Sequence, residues 1–366
     1  MAESEDSSSR WKNLGRALQA IQLRMMALVM VCLGLGTLAL ISDINHEHER
    51  STARLASEAI RAALTAFEDV ERTSTELMGV SVDALARDPG LRAAIAVRDA
   101  ARALLLSARL YRDQRVRFGI THWSYWEPEP PGKSEARGLR NILRVGTPDM
   151  RGDFVERVTL ARVARERRQV TGLDLGPTGL ALRVLAPVED DGQVIGYVEL
   201  GKEIGHFLQD MKKSTGNDFG IMVAKRRMDE KKWSLHVSAT GARNNWNDMP
   251  DLLLVENTSP DREIFRYSGS VEDVPDDGEA LELMSKGGRS LARGLFPIRN
   301  AEGYKIGAVF VLRDVTAAYA GLCTARREAI LMVVGVMITL GGVLVTGFKA
   351  CWWTTLSTDP PRGSLG

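Results

Sequence analysis

Two uncharged apolar runs, Met25 to Ser42 and Ala329 to Phe348, bracket this chain of 366 residues. At about 1.5 Å rise per residue they extend about 27 and 30 Å as helices, close to the thickness of a bilayer's hydrocarbon core. Both are read as membrane spans, with the 286 residues from Asp43 to Glu328 held together on one side. Basic residues near the first span resist translocation. Arg10, Lys12, Arg16 and Arg24 precede it, and Asp43, Glu47 and Glu49 follow. The amino terminus is therefore expected in the cytoplasm and the middle region outside. Arg326 and Arg327 argue the other way at the second span, with only Lys349 on its far side; the first span is taken as decisive. A cleaved signal peptide is the rival reading of the first run. Its length, and the bulky residues where a small-x-small cleavage site is wanted, favour an uncleaved anchor.

Composition fits a folded region between the spans. Apolar residues make up 44% and charged ones 26% of the chain, as in ordinary globular proteins. A formal net charge of +1 gives no electrostatic footprint for nucleic acid. Of the cysteines, Cys32 lies in the first run and Cys351 follows the second, which leaves Cys323 alone in the outer region. No intramolecular disulfide is then available outside, and the fold must rest on its core. The chain carries no Gly-x-Ser-x-Gly elbow, no complete phosphate-cradling Gly-x-x-x-x-Gly-Lys-Ser/Thr, no Cys-x-x-Cys pair and no His-Glu-x-x-His. The expectation is a non-enzyme. His46 and His48 flank Glu47 without a matching pair elsewhere, so neither a metal nor a cofactor is expected.

After the first span, apolar or small residues recur at alternating spacings of four and three: Ala56, Ile60, Ala63, Phe67, Val70, Ser74, Leu77, Ser81, Ala84. This stripe predicts a long helix packed along its own domain, and one that could also meet its counterpart in a homodimer. Asp88-Pro89-Gly90 breaks the run, and a second helix is predicted from Leu91 to Tyr111. Strand patterns then cover Val116 to Ser124, Asn141 to Gly146, Leu180 to Pro187 and Val194 to Leu200, with a helix from Arg157 to Arg168. A helix from Glu203 to Lys213 leads to further strands at Phe219 to Val223, Glu263 to Ser268, Ala280 to Met284, Ser290 to Pro297 and Ile306 to Leu312. The fold class is α+β. The closing strands Val194-Ile195-Gly196-Tyr197-Val198 and Lys305-Ile306-Gly307-Ala308-Val309 share a glycine at the third place.

A long helix leaving the membrane, two successive mixed units closing on turn-x-Ile-Gly-x-Val, and an Arg313-Asp314-Val315-Thr316 exit into a second span together resemble the double Cache sensor regions of bacterial chemoreceptors, histidine kinases and diguanylate cyclases. The first unit is similar to a subgroup with an aromatic strand, here His122-Trp123-Ser124-Tyr125-Trp126. Leu143-Arg144-Val145, Gly152-Asp153, Gly172-Leu173-Asp174-Leu175-Gly176 and Gly179-Leu180-Ala181-Leu182-Arg183 follow it. That subgroup often has a histidine-rich strand where this chain has tryptophan and tyrosine, so ligand identity does not transfer. The resemblance implies two PAS-like antiparallel-sheet units, the membrane-distal one binding the ligand.

The expected layout is therefore a cytoplasmic tail over 1–24, a span over 25–42 and a long helical segment over 43–112. A membrane-distal unit over 113–213 and a membrane-proximal unit over 214–318 follow, then an exit helix over 319–328, a span over 329–348 and a cytoplasmic tail over 349–366. The tail's Pro360-Pro361 and glycines suit no long helix, and the expectation is an input module whose output domain belongs to a separate partner or a longer receptor. The candidate site combines aromatic walls with arginine forks that bind a carboxylate or phosphate: Trp123 and Tyr125 on one strand, Arg144 and Arg183 on others, and Asp153 for a ligand's amine or to orient an arginine. Side chains alternate along a strand, so Trp126 belongs to the opposite face from Trp123 and Tyr125; the latter pair is expected to line the pocket. The expected function is a bacterial inner-membrane sensor for a small anionic or zwitterionic ligand of the amino-acid or organic-acid class. A ligand-free scaffold is the alternative.

Overall fold

The computed structural model of the chain describes residues 3–128, 138–176 and 179–356. Its contacts divide it into two units, one made of 1–52 with 316–366 and the other of 53–315. The first unit consists of the start of helix α1 (Glu3–Arg87) and of helix α7 (Thr316–Leu356). Both helices are long and apolar enough to cross a membrane, with windows of mean hydropathy 2.3 and 2.5. Residues 357–366 of the expected tail lie outside the described residues.

In the second unit the predicted helix over Leu91 to Tyr111 is two helices, α2 (Pro89–Ala96) and α3 (Ala100–Phe118). An aspartate starts each: Asp88 accepts from Leu91 N at 2.8 Å and Asp99 from Arg102 N at 3.0 Å. Pro89 sits in the first turn of α2, where its missing N–H costs nothing. α3 continues through Val116 to Phe118 and stops at Gly119, whose φ of 70° is the left-handed cap glycine tolerates. The strand expected from Val116 therefore begins only at His122.

Six strands form the first sheet: β1 (His122–Trp126), β2 (Leu139–Arg144), β3 (Phe154–Val155), β4 (Val170–Gly176), β5 (Gly179–Asp190) and β6 (Gln193–Glu203). Helix α4 (Val158–Glu166) precedes β4, and α5 (Ile204–Thr215) follows β6. Five more form the second: β7 (Asp218–Ala224), β8 (Leu252–Asn257), β9 (Glu279–Lys286), β10 (Arg289–Arg299) and β11 (Lys305–Asp314), with α6 (Glu230–Thr240) between β7 and β8. The strand orders are β3-β2-β1-β6-β5-β4 and β8-β7-β11-β10-β9. Once the short edge strand β3 is set aside, the orders are the same, so the chain repeats one topology. In both sheets the closing strand lies beside the opening one, which explains the shared glycine. A Cβ at Gly196 would lie 2.9 Å from Trp126 O, and one at Gly307 would lie 2.7 Å from Met222 O.

Helix α1 packs along both sheets. Its Phe67 ring lies 6.0 Å from Phe207 on α5 and 5.7 Å from Phe296 on β10. The predicted stripe is buried at Ala56, Ile60, Ala63, Phe67 and Ser74, but Ala84 is exposed and Met78, Val82 and Leu85 take over the core. A straight helix has a period of 3.6, so a stripe written with a period of 3.5 drifts off the buried face within a few turns. The strand expected at Glu263 to Ser268 is a single 3-10 turn, Arg262–Phe265, capped by Asp261. Its place in the sheet belongs to β8.

Candidate functional site

Strand β1 divides the aromatic cluster between two environments. Trp123 and Tyr125 face the helices: Tyr125 Oη is 2.7 Å from Ser107 Oγ on α3, and Trp123 meets Tyr111 edge to face at 6.2 Å between centroids. Burial pushes the Tyr125 hydroxyl up to about 12. Both rings are core. His122, Ser124 and Trp126 take the other face, where Ser124 pairs across with Arg144 on β2 and Glu199 on β6, and His122 lies one strand from Arg183 through Gly201. The expected combination of Trp123 and Tyr125 with both arginines is therefore not assembled. Trp126 is the ring beside them.

Glu199 lies at the centre of that face, with no solvent exposure. Arg157, just before α4, grips it with both terminal nitrogens, at 2.8 Å to Oε1 and 3.0 Å to Oε2. Arg183 Nη1 donates to the same Oε1 at 2.7 Å, and Trp126 Nε1 donates to Oε2 at 2.7 Å. Burial alone would raise the Glu199 carboxyl, but the guanidiniums of Arg157 and Arg183 outweigh it and hold the group far below the usual carboxylate range. Burial, with Arg157 beside it, lowers the basicity of Arg183. The Nε atoms of Arg157 and Arg183 are buried with no hydrogen-bond partner among the described residues.

A second pair lies next to this cluster. Arg144 holds Asp153 in a fork, at 2.7 and 2.8 Å, and its Nη1 also donates to Met150 O at 2.6 Å. The hydrogen bond from Arg144 holds Asp153 below its ordinary range. The guanidinium carbons of Arg144 and Arg157 lie 5.8 and 5.3 Å from the Trp126 ring centroid, close enough for cation–π attraction. Asp174, on β4, is buried and bonded by Thr159 Oγ1. His122, against Thr121 Oγ1 at 2.9 Å, is pushed down to about 3, first by burial and then by Arg183.

Three guanidiniums and three carboxylates thus share one sheet face around one indole. Such a set can present a cationic fork to a carboxylate and a carboxylate to an ammonium group, against an aromatic wall. Of the residues expected from the sequence, Arg144, Asp153 and Arg183 are here. Arg157, Asp174 and Glu199 were not anticipated, and Trp126 is the ring of the aromatic strand that was set aside in favour of Trp123 and Tyr125. One signal was available: Glu199 is an acid inside an otherwise apolar strand, Tyr197-Val198-Glu199-Leu200, where an isolated charge needs a partner. Among the described residues no group of three or more His, Cys, Asp or Glu side chains is placed to hold a metal ion.

A family model described as the double sensory domain of two-component sensor kinase (dCache_3) matches residues 54–319, and the chain belongs to that double Cache family. It is a sensory family, and the chain is a signal-transduction sensor domain. Among solved structures, the chain is similar to the Vibrio cholerae LuxQ periplasmic domain at 11% identity and TM-score 0.36, over 72% of this chain and 97% of that one. It is similar also to the ligand-binding domain of the Campylobacter jejuni chemoreceptor Tlp3 in complex with L-valine, at 11% identity and TM-score 0.38, over 74% and 95%. No curated protein matches the chain.

Proposed function

We propose that this chain is a membrane-anchored sensor whose first sheet unit binds a small zwitterionic or anionic molecule, of the amino-acid or organic-acid class, outside the cell. In this reading the ligand lies on the face carrying Trp126, its carboxylate against Arg157 and Arg183 and any amine against Asp153 or Asp174. The observation that carries it is the pair of buried, unpartnered guanidinium Nε donors, a costly arrangement unless an acceptor arrives. Two apolar helices bracketing the sensory unit support anchoring at the bacterial inner membrane. The cationic residues before the first one support a cytoplasmic amino terminus. Binding would shift the unit between two arrangements by its difference in affinity for them, and α1 and α7 would carry the shift through a homodimer toward the membrane.

Glu199 favours one other reading. It already neutralises both arginines from within the chain, as a ligand-free scaffold would require. Thermal-shift screening of the purified chain in detergent against amino acids, organic acids and amines separates the two. At least one class is expected to raise the unfolding temperature, and Arg144→Ala or Asp153→Asn should weaken that ligand at least tenfold. If no compound stabilises the chain, or if both variants bind the ligand as the wild type does, the sensor pocket is not here.

A further inference from the structure

The second sheet unit has a cleft of its own, remote in sequence from the arginine–glutamate face. Its volume is about 670 Å³, within the range of small-molecule sites, and it is walled by α6, β8 and the segment that follows β8. An adjoining hollow of about 360 Å³ shares Arg243, Leu254 and Arg262 with it and adds Arg266. Three guanidiniums therefore line one continuous depression. Arg243 is paired with Asp248. Arg262 and Arg266 differ: among the described residues neither forms an ion pair with a carboxylate, and Arg262 is steadied by a single bond from Nη1 to Arg243 O at 3.4 Å. Of the nearby acids, Glu263 is engaged by Lys286 at 3.0 Å, while Glu256 lines the cleft without an ion pair among the described residues, its carboxyl raised by burial and by Glu203 against the pull of Arg262. On the α6 side the Trp233 indole and the His236 imidazole lie 5.7 Å apart. Trp233 and Asn245 are 4% exposed, and each keeps a buried polar atom, Nε1 and Oδ1, with no partner. Two guanidiniums without an ion pair to a carboxylate, among the described residues, and an aromatic wall line one depression, as they would in an anion site.

We propose that this cleft is a second ligand site, one that takes a small dianion and is independent of the site on the first sheet. Two guanidinium groups lining one hollow complement two oxyanion groups, so the chemical class is a dicarboxylate or a phosphoryl compound. Inorganic phosphate and succinate are the probes. Each is titrated into the full chain in detergent, with sodium chloride at matched ionic strength as reference, and the unfolding temperature and the heat of binding are read. At least one probe is expected to stabilise the chain beyond chloride at millimolar concentration. Phosphate alone identifies a phosphoryl site, and succinate alone a carboxylate site.

The double variant Arg262→Ala, Arg266→Ala should bind the effective probe at least tenfold more weakly. Arg262→Lys with Arg266→Lys keeps the charge but loses the planar fork, and should weaken binding about threefold to tenfold while leaving the fold intact. Arg112→Ala, an exposed arginine outside both sites, should change nothing, which separates loss of this cleft from a general loss of positive charge. The proposal is overturned if neither probe exceeds the chloride reference, or if the lysine variant binds as tightly as the wild type.

Discussion

A carboxylate with no solvent exposure and two guanidiniums bonded to it is a commitment made by single residues. Removing one member leaves the others charged, buried and uncompensated, which costs far more than the intact cluster contributes. Glu199→Ala is expected to lower the stability of the chain by about 3–5 kcal/mol in denaturant unfolding. An unchanged midpoint would mean that Arg157 and Arg183 reach water in the folded protein. The same groups set an acid limit. Glu199 and Asp153 are held below the ordinary 4.5 and 3.8, so their contribution is full above that range and is lost as pH falls beneath it. His122 is a base pushed down to about 3, so the unfolded chain takes up its proton first and stability falls from pH 6.5 downward. Since 34% of the His122 side chain is exposed, water screens part of this and its share is the smaller one. The unfolding temperature should drop gently from pH 6.5 and steeply below about 4.5, and His122→Gln should flatten only the gentle part. Equal profiles for both proteins would remove His122 from the account. Arg144, Asp153 and Arg183 were legible in the sequence because charged residues stood beside aromatic and glycine motifs. The partners of Glu199 were not, since Arg157 and Trp126 lie 42 and 73 positions away from it and only the fold brings them together.

Among elements, α4 ties the first sheet to the β10–β11 turn. Its start carries the Arg157 grip on Glu199, while its Arg162 donates to Ala301 O in the β10–β11 turn at 2.7 Å. Glycine makes the approach possible: a Cβ at Gly172 on β4 would lie 2.4 Å from the Ala301 Cβ, closer than real side chains come. Gly172→Val should therefore push the β10–β11 turn away, costing about 1–3 kcal/mol and raising amide exchange at residues 300–303. Pairing Gly172→Ala with Ala301→Gly should recover part of what Gly172→Ala loses, since the new Cβ would still lie 2.8 Å from the residue-301 Cα. Failure of that rescue would locate the strain elsewhere. The sequence made some elements plain and hid others. β5, β6, β10 and β11 carry long apolar patterns that no competing signal disturbs, and they stand where the pattern put them. α6 and β8 follow the basic turn Lys225–Arg227 and a polar stretch in which neither period stands out. Ile264 and Phe265, whose side chains suggested a strand, instead enter the core from a 3-10 turn. In α1 the buried face was legible up to Ser74, beyond which the 3.6 period carried the core to Met78 and Val82.

At the scale of the whole molecule, apolar surface decides where the two long helices can exist. Leu28, Leu35 and Leu38 on α1 are 64%, 63% and 65% exposed, and Met332, Ile338 and Val343 on α7 are 71%, 71% and 63% exposed. Apolar side chains exposed along both helices are what a membrane span presents to lipid. Just beyond these stretches, polar contacts join the helices: Arg326 Nε donates to Asn45 Oδ1 at 2.9 Å, and His48 meets Tyr319 at 5.8 Å between centroids. A polar belt at one end of paired apolar helices is the arrangement expected at a membrane–water boundary, and it sets Cys323 on the same side as Asn45 and His48. Cys351 follows the second apolar run. If the sensory unit is outside, then in intact spheroplasts a membrane-impermeant maleimide should label a variant that keeps only Cys323 and leave a variant that keeps only Cys351 unlabelled. Permeabilisation should then expose Cys351. Labelling of Cys351 in intact spheroplasts, with Cys323 protected, would place the sensory unit in the cytoplasm. The arginines before the first run would then have been outweighed by Arg326 and Arg327 beside the second, the one point at which the charges flanking the two runs disagree.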